Sequence, residues 1–265
     1  MYKFAANLSF LFTELPFMAR FAAARAAGFE GVEVLFPYDH TPQEIRRELT
    51  RHGLTLALMN APPPNWAGGE RGFAAVPGGE DRFHEGFERA MIVADVLKPQ
   101  RLHVMAGRAE GPLARRTLVE NLKWACRHGS RHQLTLEPVN SRDMPGFFLN
   151  DFALTVEIMD EVQAPNLWLQ FDYYHAQMLA GDPMHLWERY KGRIGHVQIA
   201  SAPDRREPRG MGVEHSGFFA RLSRDGYRGW VGAEYTPGGA TADSLSWMVR
   251  PAAGPITGAP PGSRP

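Results

Sequence analysis

Short apolar runs recur along the chain, and between them apolar side chains return every three or four positions. The short runs fall near residues 3–8, 31–36, 54–60, 101–106, 133–138, 166–172, 194–200 and 230–235. Their β-branched, aromatic and leucine content predicts buried strands. The intervening periodicity predicts helices over 16–27, 42–52, 80–97, 112–128, 151–163, 183–191, 216–225 and 241–249. Thr41-Pro42 reads as a cap with a first-turn proline, Gly28 and Gly53 as stops, and Asp151 and Asp182-Pro183 as further starts. Strict alternation without hairpin signals predicts a parallel sheet. Eight strand–helix units predict that the sheet closes into a single (β/α)₈ TIM barrel, α/β in class, over residues 1–250.

Two segments depart from the pattern. Residues 61–79 are rich in proline and glycine around Asn65-Trp66, and they predict a long loop leaving the third strand, as lids do. Residues 251–265 hold five prolines and three glycines, a composition that predicts a disordered tail.

Composition narrows the class. The chain has 265 residues, 44% of them hydrophobic, enough for one large core. Its 29 basic and 29 acidic residues cancel, so no nucleic-acid or anionic-membrane surface is expected. The single cysteine, Cys126, excludes an intrachain disulfide. Residues 1–20 lack a signal-peptide layout and no apolar run is long enough to span a bilayer, so a soluble cytoplasmic protein is expected.

The candidate chemistry lies at the carboxyl ends of the last four strands, where such barrels place their active sites. Gln133-Leu134-Thr135-Leu136 ends in Glu137, and Pro138 stops the ladder there. The next three strands end in Asp172, Gln198 and Glu234, at spacings of 35, 26 and 36 residues. Adjacent strands lie about 4.8 Å apart, so four such side chains can converge. Oxygen donors alone suit Mg²⁺ or Mn²⁺ better than zinc or copper. Without a cation, clustered carboxylates repel and take up protons. The alternative is four independent salt bridges at strand ends.

Around this set, His175 reads as a donor to a substrate oxygen or as a surface residue on the loop after Asp172. Arg205 sits in Pro203-Asp204-Arg205-Arg206-Glu207-Pro208, which reads as solvated surface or as a guanidinium placed for a substrate carboxylate. His103 reads as a satisfied core histidine, and Trp124, Met159, Trp187 and Trp247 as core against the barrel. The glycines at 67–72 are followed by no Lys-Ser/Thr, and no dinucleotide fingerprint occurs, so no nucleotide cofactor is expected.

These residues carry a resemblance. Phe4-Ala5-Ala6-Asn7-Leu8-Ser9, Leu35-Phe36-Pro37-Tyr38-Asp39 and Trp66-Ala67-Gly68-Gly69-Glu70-Arg71-Gly72 come first. They are joined by Glu137-Pro138-Val139-Asn140 with Met144-Pro145-Gly146, Asp172-Tyr173-Tyr174-His175-Ala176-Gln177, His196-Val197-Gln198-Ile199-Ala200, and Gly229-Trp230-Val231-Gly232-Ala233-Glu234-Tyr235. In that order, from Phe4 to about Trp247, the chain resembles the hydroxypyruvate isomerase family of xylose isomerase-like barrels. The resemblance implies Glu137 and Glu234 as the acid–base pair, and Glu137, Asp172, Gln198 and Glu234 as ligands of a divalent cation, Mg²⁺ or Mn²⁺. It implies substrate contacts at His175 and Arg205. The implied reaction interconverts hydroxypyruvate and 2-hydroxy-3-oxopropanoate through an enediolate.

The implied partner is a small hydroxy-oxo acid, with neither nucleic acid nor membrane, and a homo-oligomer is compatible with this. A 2-oxo-tetronate isomerase or a ketose epimerase would use the same constellation. A metal-dependent endonuclease of the same barrel group would want several histidine ligands and a basic face. A binding protein without turnover is the further alternative. Three departures from the family pattern stand out. The loop from Gly107 to Leu113 is short, the turn Arg127-His128-Gly129-Ser130-Arg131-His132 lacks about two residues, and Met211-Gly212-Val213-Glu214-His215 falls where the family has Gly-Glu-x-Asn-Tyr. The last of these predicts a more flexible loop at 209–216 and less ready closure over substrate.

Overall fold

In the computed structural model, which describes residues 2–62, 69–208 and 213–248, eight parallel strands close into a barrel with consecutive strands adjacent. They are β1 (Lys3–Asn7), β2 (Gly31–Val34), β3 (Thr55–Ala61), β4 (Arg101–Val104), β5 (Leu134–Leu136), β6 (Leu167–Asp172), β7 (Ile194–Ile199) and β8 (Trp230–Ala233). Pairing of β1 with β8, Phe4 opposite Val231, completes the ring. All eight strands fall where the apolar runs predict them. The helices are α1 (Phe17–Ala26), α2 (Pro42–His52), α3 (Glu80–Leu97), α4 (Gly111–His128), α5 (Phe152–Val162), α6 (Tyr173–Ala180), α7 (Pro183–Tyr190) and α8 (Val213–Arg224).

The caps read from sequence form as expected. Thr41 and Glu44 make a reciprocal capping box at α2, and Gly53 ends that helix in the left-handed conformation. Asp151 accepts from Leu154 N, and Asp182 from Met184 N.

Two helix assignments need correction. α6 is absent from the sequence reading, because Asp172 both ends β6 and caps α6, so no loop punctuation separates them. His175 therefore lies on the first turn of a helix. The helix predicted over 241–249 is instead a 3₁₀ turn, Thr241–Ser244. Thr241 Oγ1 accepts from Phe12 N at 2.6 Å, and Thr241 N donates to Glu14 at 3.1 Å, so tertiary hydrogen bonds replace helical ones.

Strand alternation divides the sheet into two faces. In β6, Phe171 points outward, its ring centroid 5.6 Å from that of Trp187 on α7 and 5.8 Å from that of Phe218 on α8. Its neighbours Gln170 and Asp172 belong to the polar interior. Trp187, Met159 and Trp247 are buried as expected, whereas Trp124 is half-buried on the outer surface, stacked between His84 and His128.

The described part of the 61–79 loop is docked. Ala75 N donates to Ala106 O at 2.7 Å, and Asn121 Nδ2 to Ala74 O at 2.9 Å. Asn65-Trp66, Gly210-Met211-Gly212 and the 251–265 tail, on which the lid, flexible-loop and disorder expectations rest, lie outside the described residues.

The short α4–β5 turn is tied by one side chain. Buried Asn166 directs Nδ2 at the carbonyls of Cys126 (3.2 Å), Gly129 (3.4 Å) and His132 (3.0 Å), and its own carbonyl accepts from Leu134 N at 2.8 Å. Asn166→Ala leaves these buried carbonyls without that donor and is expected to lower unfolding free energy by about 1–3 kcal/mol. Urea denaturation measures this, and an unchanged midpoint would show that the turn holds itself.

Candidate active site

Glu137, Asp172, Gln198 and Glu234 are brought together at the carboxyl end of the barrel, each 7% exposed or less. Register does much of this, since Asp172 stands opposite Gln198, and Gln198 opposite Gly232, two residues before Glu234. Arg205 crosses above them. Its Nη2 donates to Asp172 Oδ2 at 3.0 Å and to Glu234 Oε1 at 2.5 Å. Its guanidinium lies between the rings of Phe10 and Tyr174, 5.2 and 5.1 Å from their centroids. Arg205 adopts φ +50°, a left-handed turn that a non-glycine residue takes at some cost, and Thr236 N donates to its carbonyl at 2.9 Å. The charged loop thus turns this arginine inward rather than leaving it in solvent.

Glu234 is well supplied with donors. Besides Arg205, Asn7 Nδ2 donates to its Oε2 at 2.9 Å, and Gln198 Nε2 bonds the same oxygen. Glu137 is not: its Oε1 is buried and has no partner among the described residues. Burial, reinforced by Asp172 and Glu234, raises the Glu137 carboxyl well above the ordinary range. Burial likewise pushes Glu234 up to about 8, with Arg205 opposing and Asp172 adding to the rise. Asp172 is raised too, again by burial first, against the pull of Arg205.

His175 points its Nδ1 at Asn140, whose main-chain N–H donates to it at 3.3 Å. That makes Nδ1 an acceptor and leaves the ring proton on Nε2, which lies 3.7 Å from Asp172 Oδ2. Burial and the nearby Arg205 keep His175 neutral by lowering it well below the ordinary value. Ligand atoms of Glu137, Asp172 and His175 all lie within 4.8 Å of one another. The tautomer makes His175 a neutral donor facing the site rather than a ready ligand.

His103 is buried as expected, yet it is not a satisfied core histidine. Its Nδ1 is 3.7 Å from Glu137 Oε2, and its Nε2 has no partner among the described residues. Burial, with His196 nearby, lowers it to about 3, so the contact joins a neutral ring to a carboxyl and is no ion pair.

The sequence reading passed over the layer below. Asn7, Glu33, Thr135, Gln170 and His196 are all buried there. Their signal was present, for Thr135/Glu137, Gln170/Asp172 and His196/Gln198 are polar pairs two apart in otherwise apolar strands. His215, at the altered loop, is buried with Nε2 3.2 Å from Ala200 O and its ring 4.8 Å from Tyr173.

The donor set fits a divalent cation. Three buried carboxyls face one guanidinium, Glu137 Oε1 lacks a donor among the described residues, and all three carboxyl pKa values are raised.

Comparison with known proteins gives the family. Residues 21–250 match the model of the xylose isomerase-like TIM barrel family. Over 254 residues the chain is 44% identical to 2-oxo-tetronate isomerase of Cupriavidus necator, covering 94% of this chain and 98% of that one. It is 37% identical to hydroxypyruvate isomerase of Escherichia coli, with the same coverage. A crystal structure from Brucella melitensis named AP endonuclease, family 2 superposes with a TM-score of 0.89 at 43% identity, covering 94% and 98% of the two chains.

In metal-free protein, folding holds a proton on Glu137 at pH values where the unfolded chain has released it. Stability is therefore lost as pH rises from the unfolded value of 4.5 toward the raised folded value. Glu137→Gln removes that titration. It is expected to melt higher than wild type at about pH 8, with the gap closing as pH falls toward 4.5. A gap independent of pH would mean that the carboxyl is solvated.

Proposed function

The chain belongs to the xylose isomerase-like TIM barrel family, and from that membership we propose that it moves the carbonyl of a short 2-oxo-3-hydroxy acid from C2 to C3. Its place in the isomerase class follows from relatives at 36–44% identity that it matches over nearly its whole length. The observation that carries the specific reading is the buried set Glu137, Asp172, Gln198 and Glu234 beneath one guanidinium.

The reaction takes a proton from C3, passes through an enediolate in which the hydroxyl proton moves from the C3 oxygen to the C2 oxygen, and returns a proton to C2. Glu137 and Glu234 are the pair proposed for these transfers. Their surroundings differ: three donors reach Glu234 and favour its anion, while Glu137 Oε1 has no partner among the described residues. One of the two removes the proton from C3, and the other delivers a proton to C2. Arg205, fixed between two aromatic rings, is placed for the substrate carboxylate. His175, neutral with its proton on Nε2, donates to a substrate oxygen without adding charge. Glu137, Asp172, Gln198 and Glu234 would hold Mg²⁺ or Mn²⁺, which when bound supplies Lewis-acid stabilisation of negative charge on the substrate oxygens.

Two substrates share this chemistry. Hydroxypyruvate carries only hydrogen at the third carbon beyond its hydroxyl, and 2-oxo-tetronate carries a further hydroxymethyl. Relatives named for either acid match the chain over nearly its whole length, 2-oxo-tetronate isomerases at 36–44% identity and hydroxypyruvate isomerases at 37–40%, so the three-carbon acid expected from sequence and the four-carbon acid both stand as candidate substrates. The Brucella chain bears an endonuclease name, whereas the zero formal charge and oxygen-rich site of this chain favour a small acid.

The test is turnover of both acids by metal-stripped protein with added Mg²⁺ or Mn²⁺, alongside nicking of abasic DNA. Cation-dependent isomerisation of hydroxypyruvate, of 2-oxo-tetronate or of both is expected, and the ratio of the two kcat/KM values identifies the substrate. Nicking without isomerisation would overturn the reading. At saturating cation, Glu137→Gln and Glu234→Gln are each expected to lower kcat by at least ~10²-fold. Near-normal turnover in either variant would remove that residue from the acid–base pair.

A further inference from the structure

Beneath the strand-end carboxyls lies a buried hydrogen-bond chain that the proton transfers do not use. Glu33 in β2 is fully buried, with Oε1 2.5 Å from His196 Nε2. Its Oε2 accepts from Asn7 Nδ2 at 3.1 Å and from Gln198 Nε2 at 2.8 Å. Asn7 Nδ2 also reaches Glu234 Oε2 at 2.9 Å. On its other side, Gln198 Oε1 accepts from Gln170 Nε2 at 2.7 Å, and Gln170 Oε1 accepts from Thr135 Oγ1 at 2.8 Å. Every member of this chain below Glu234 is 1% exposed or less. Gly232 leaves room for it, since a Cβ there would meet Glu33 Oε1 at 1.9 Å.

The direction of the chain follows from its charged end. A carboxylate only accepts, whereas an amide has one donating and one accepting end. Glu33 and Glu234 therefore oblige Gln198 to turn Nε2 toward β2 and β8. Its oxygen is left on the β6 side and needs a donor, so Gln170 presents Nε2 and keeps its own oxygen for the Thr135 hydroxyl. Reversing any one member sets two acceptors or two donors against each other in a buried place, which is costly.

We propose that Glu33 and the Thr135–Gln170 pair are positioning residues: they fix which atom of the Gln198 amide faces which neighbour and, through Asn7, hold the Glu234 carboxyl. This rests on the reading of Gln198 and Glu234 as cation ligands.

The experiment is Mn²⁺ titration of metal-stripped, full-length protein, with free Mn²⁺ read by EPR and folding by thermal melts. Gln170→Glu is the decisive variant. At a pH high enough to ionise the new carboxyl, it offers Gln198 acceptors only, so the amide has to reverse and turn its oxygen toward Glu33 and Glu234. Charge alone would make an added carboxylate tighten cation binding, whereas lost orientation loosens it. Mn²⁺ affinity is expected to fall by ~10-fold or more, the scale for losing a group that orients a metal ligand. Thr135→Val, nearly the same shape, is expected to weaken Mn²⁺ binding severalfold, and Thr135→Ser, which keeps the hydroxyl, to match wild type.

Equal or tighter Mn²⁺ binding by Gln170→Glu overturns the proposal. If Gln170→Glu fails to fold, the Thr135 pair decides, and equal affinity of the Val and Ser variants overturns it. Wild type that takes up no Mn²⁺ sinks the cation reading itself and the positioning role with it, a failure distinct from the other two.

Discussion

Four carboxyl groups, Glu33, Glu137, Asp172 and Glu234, are enclosed within one sheet, and much of the molecule is arranged around that burden. Removing carboxylates from water is costly unless partners replace the lost hydration. The partners here are few and specific: the Arg205 guanidinium, the amides of Asn7 and Gln198, and the His196 ring. Burial works against the charge of Arg205, but Glu234, Asp172 and Glu137 outweigh it and raise its pKa. Arg205 is accordingly held in a left-handed turn between two aromatic rings, and Gly232 gives up a side chain where Glu33 lies.

A polar interior is tolerable because the main apolar core lies on the other side of the strands. Phe171 turns outward into Phe152, Trp187 and Phe218, while its neighbours Gln170 and Asp172 turn inward. The alternation that positions the site thus also keeps its charge away from the packing between strands and helices. Stability and chemistry occupy opposite faces of the same residues' backbone. The exposure of large hydrophobic side chains is correspondingly small among the described residues, with Ile92 and Leu113 the examples.

The site is asymmetric in a way that suits proton transfer. Three donors reach Glu234, whereas Glu137 keeps one oxygen without a partner among the described residues, although both are buried at the same end of the barrel. His175 adds a hydrogen-bond donor without adding charge, since a main-chain N–H fixes its tautomer and burial keeps it neutral. These features come from elements far apart in the chain, β1, β5, α6, β7, β8 and the loop after β7. The closed barrel holds them in register.

Much of this was legible in the residues. Eight apolar runs separated by helical periodicity point to a parallel sheet, because parallel strands buried on both faces are joined by helical crossovers rather than hairpins, and eight such units suit a closed barrel. Glu137, Asp172, Gln198 and Glu234 could be read as one set because each ends a strand, and strand ends in a barrel converge. Caps such as Thr41 and Asp151 were legible because their hydrogen bonds are local. Tertiary structure alone decided what depends on contacts distant in sequence. Asp172 serves as strand end and helix cap at once, so α6 carries no boundary in the sequence, and Thr241 spends its polar groups on Phe12 and Glu14 instead of a helix. Glu33 reads locally as one charge in a four-residue strand. It becomes the polar anchor of the site only when its oxygens meet Asn7, His196 and Gln198, residues 26 to 165 positions away, and the physical reason is that a buried carboxylate is defined by its partners rather than by its neighbours in sequence.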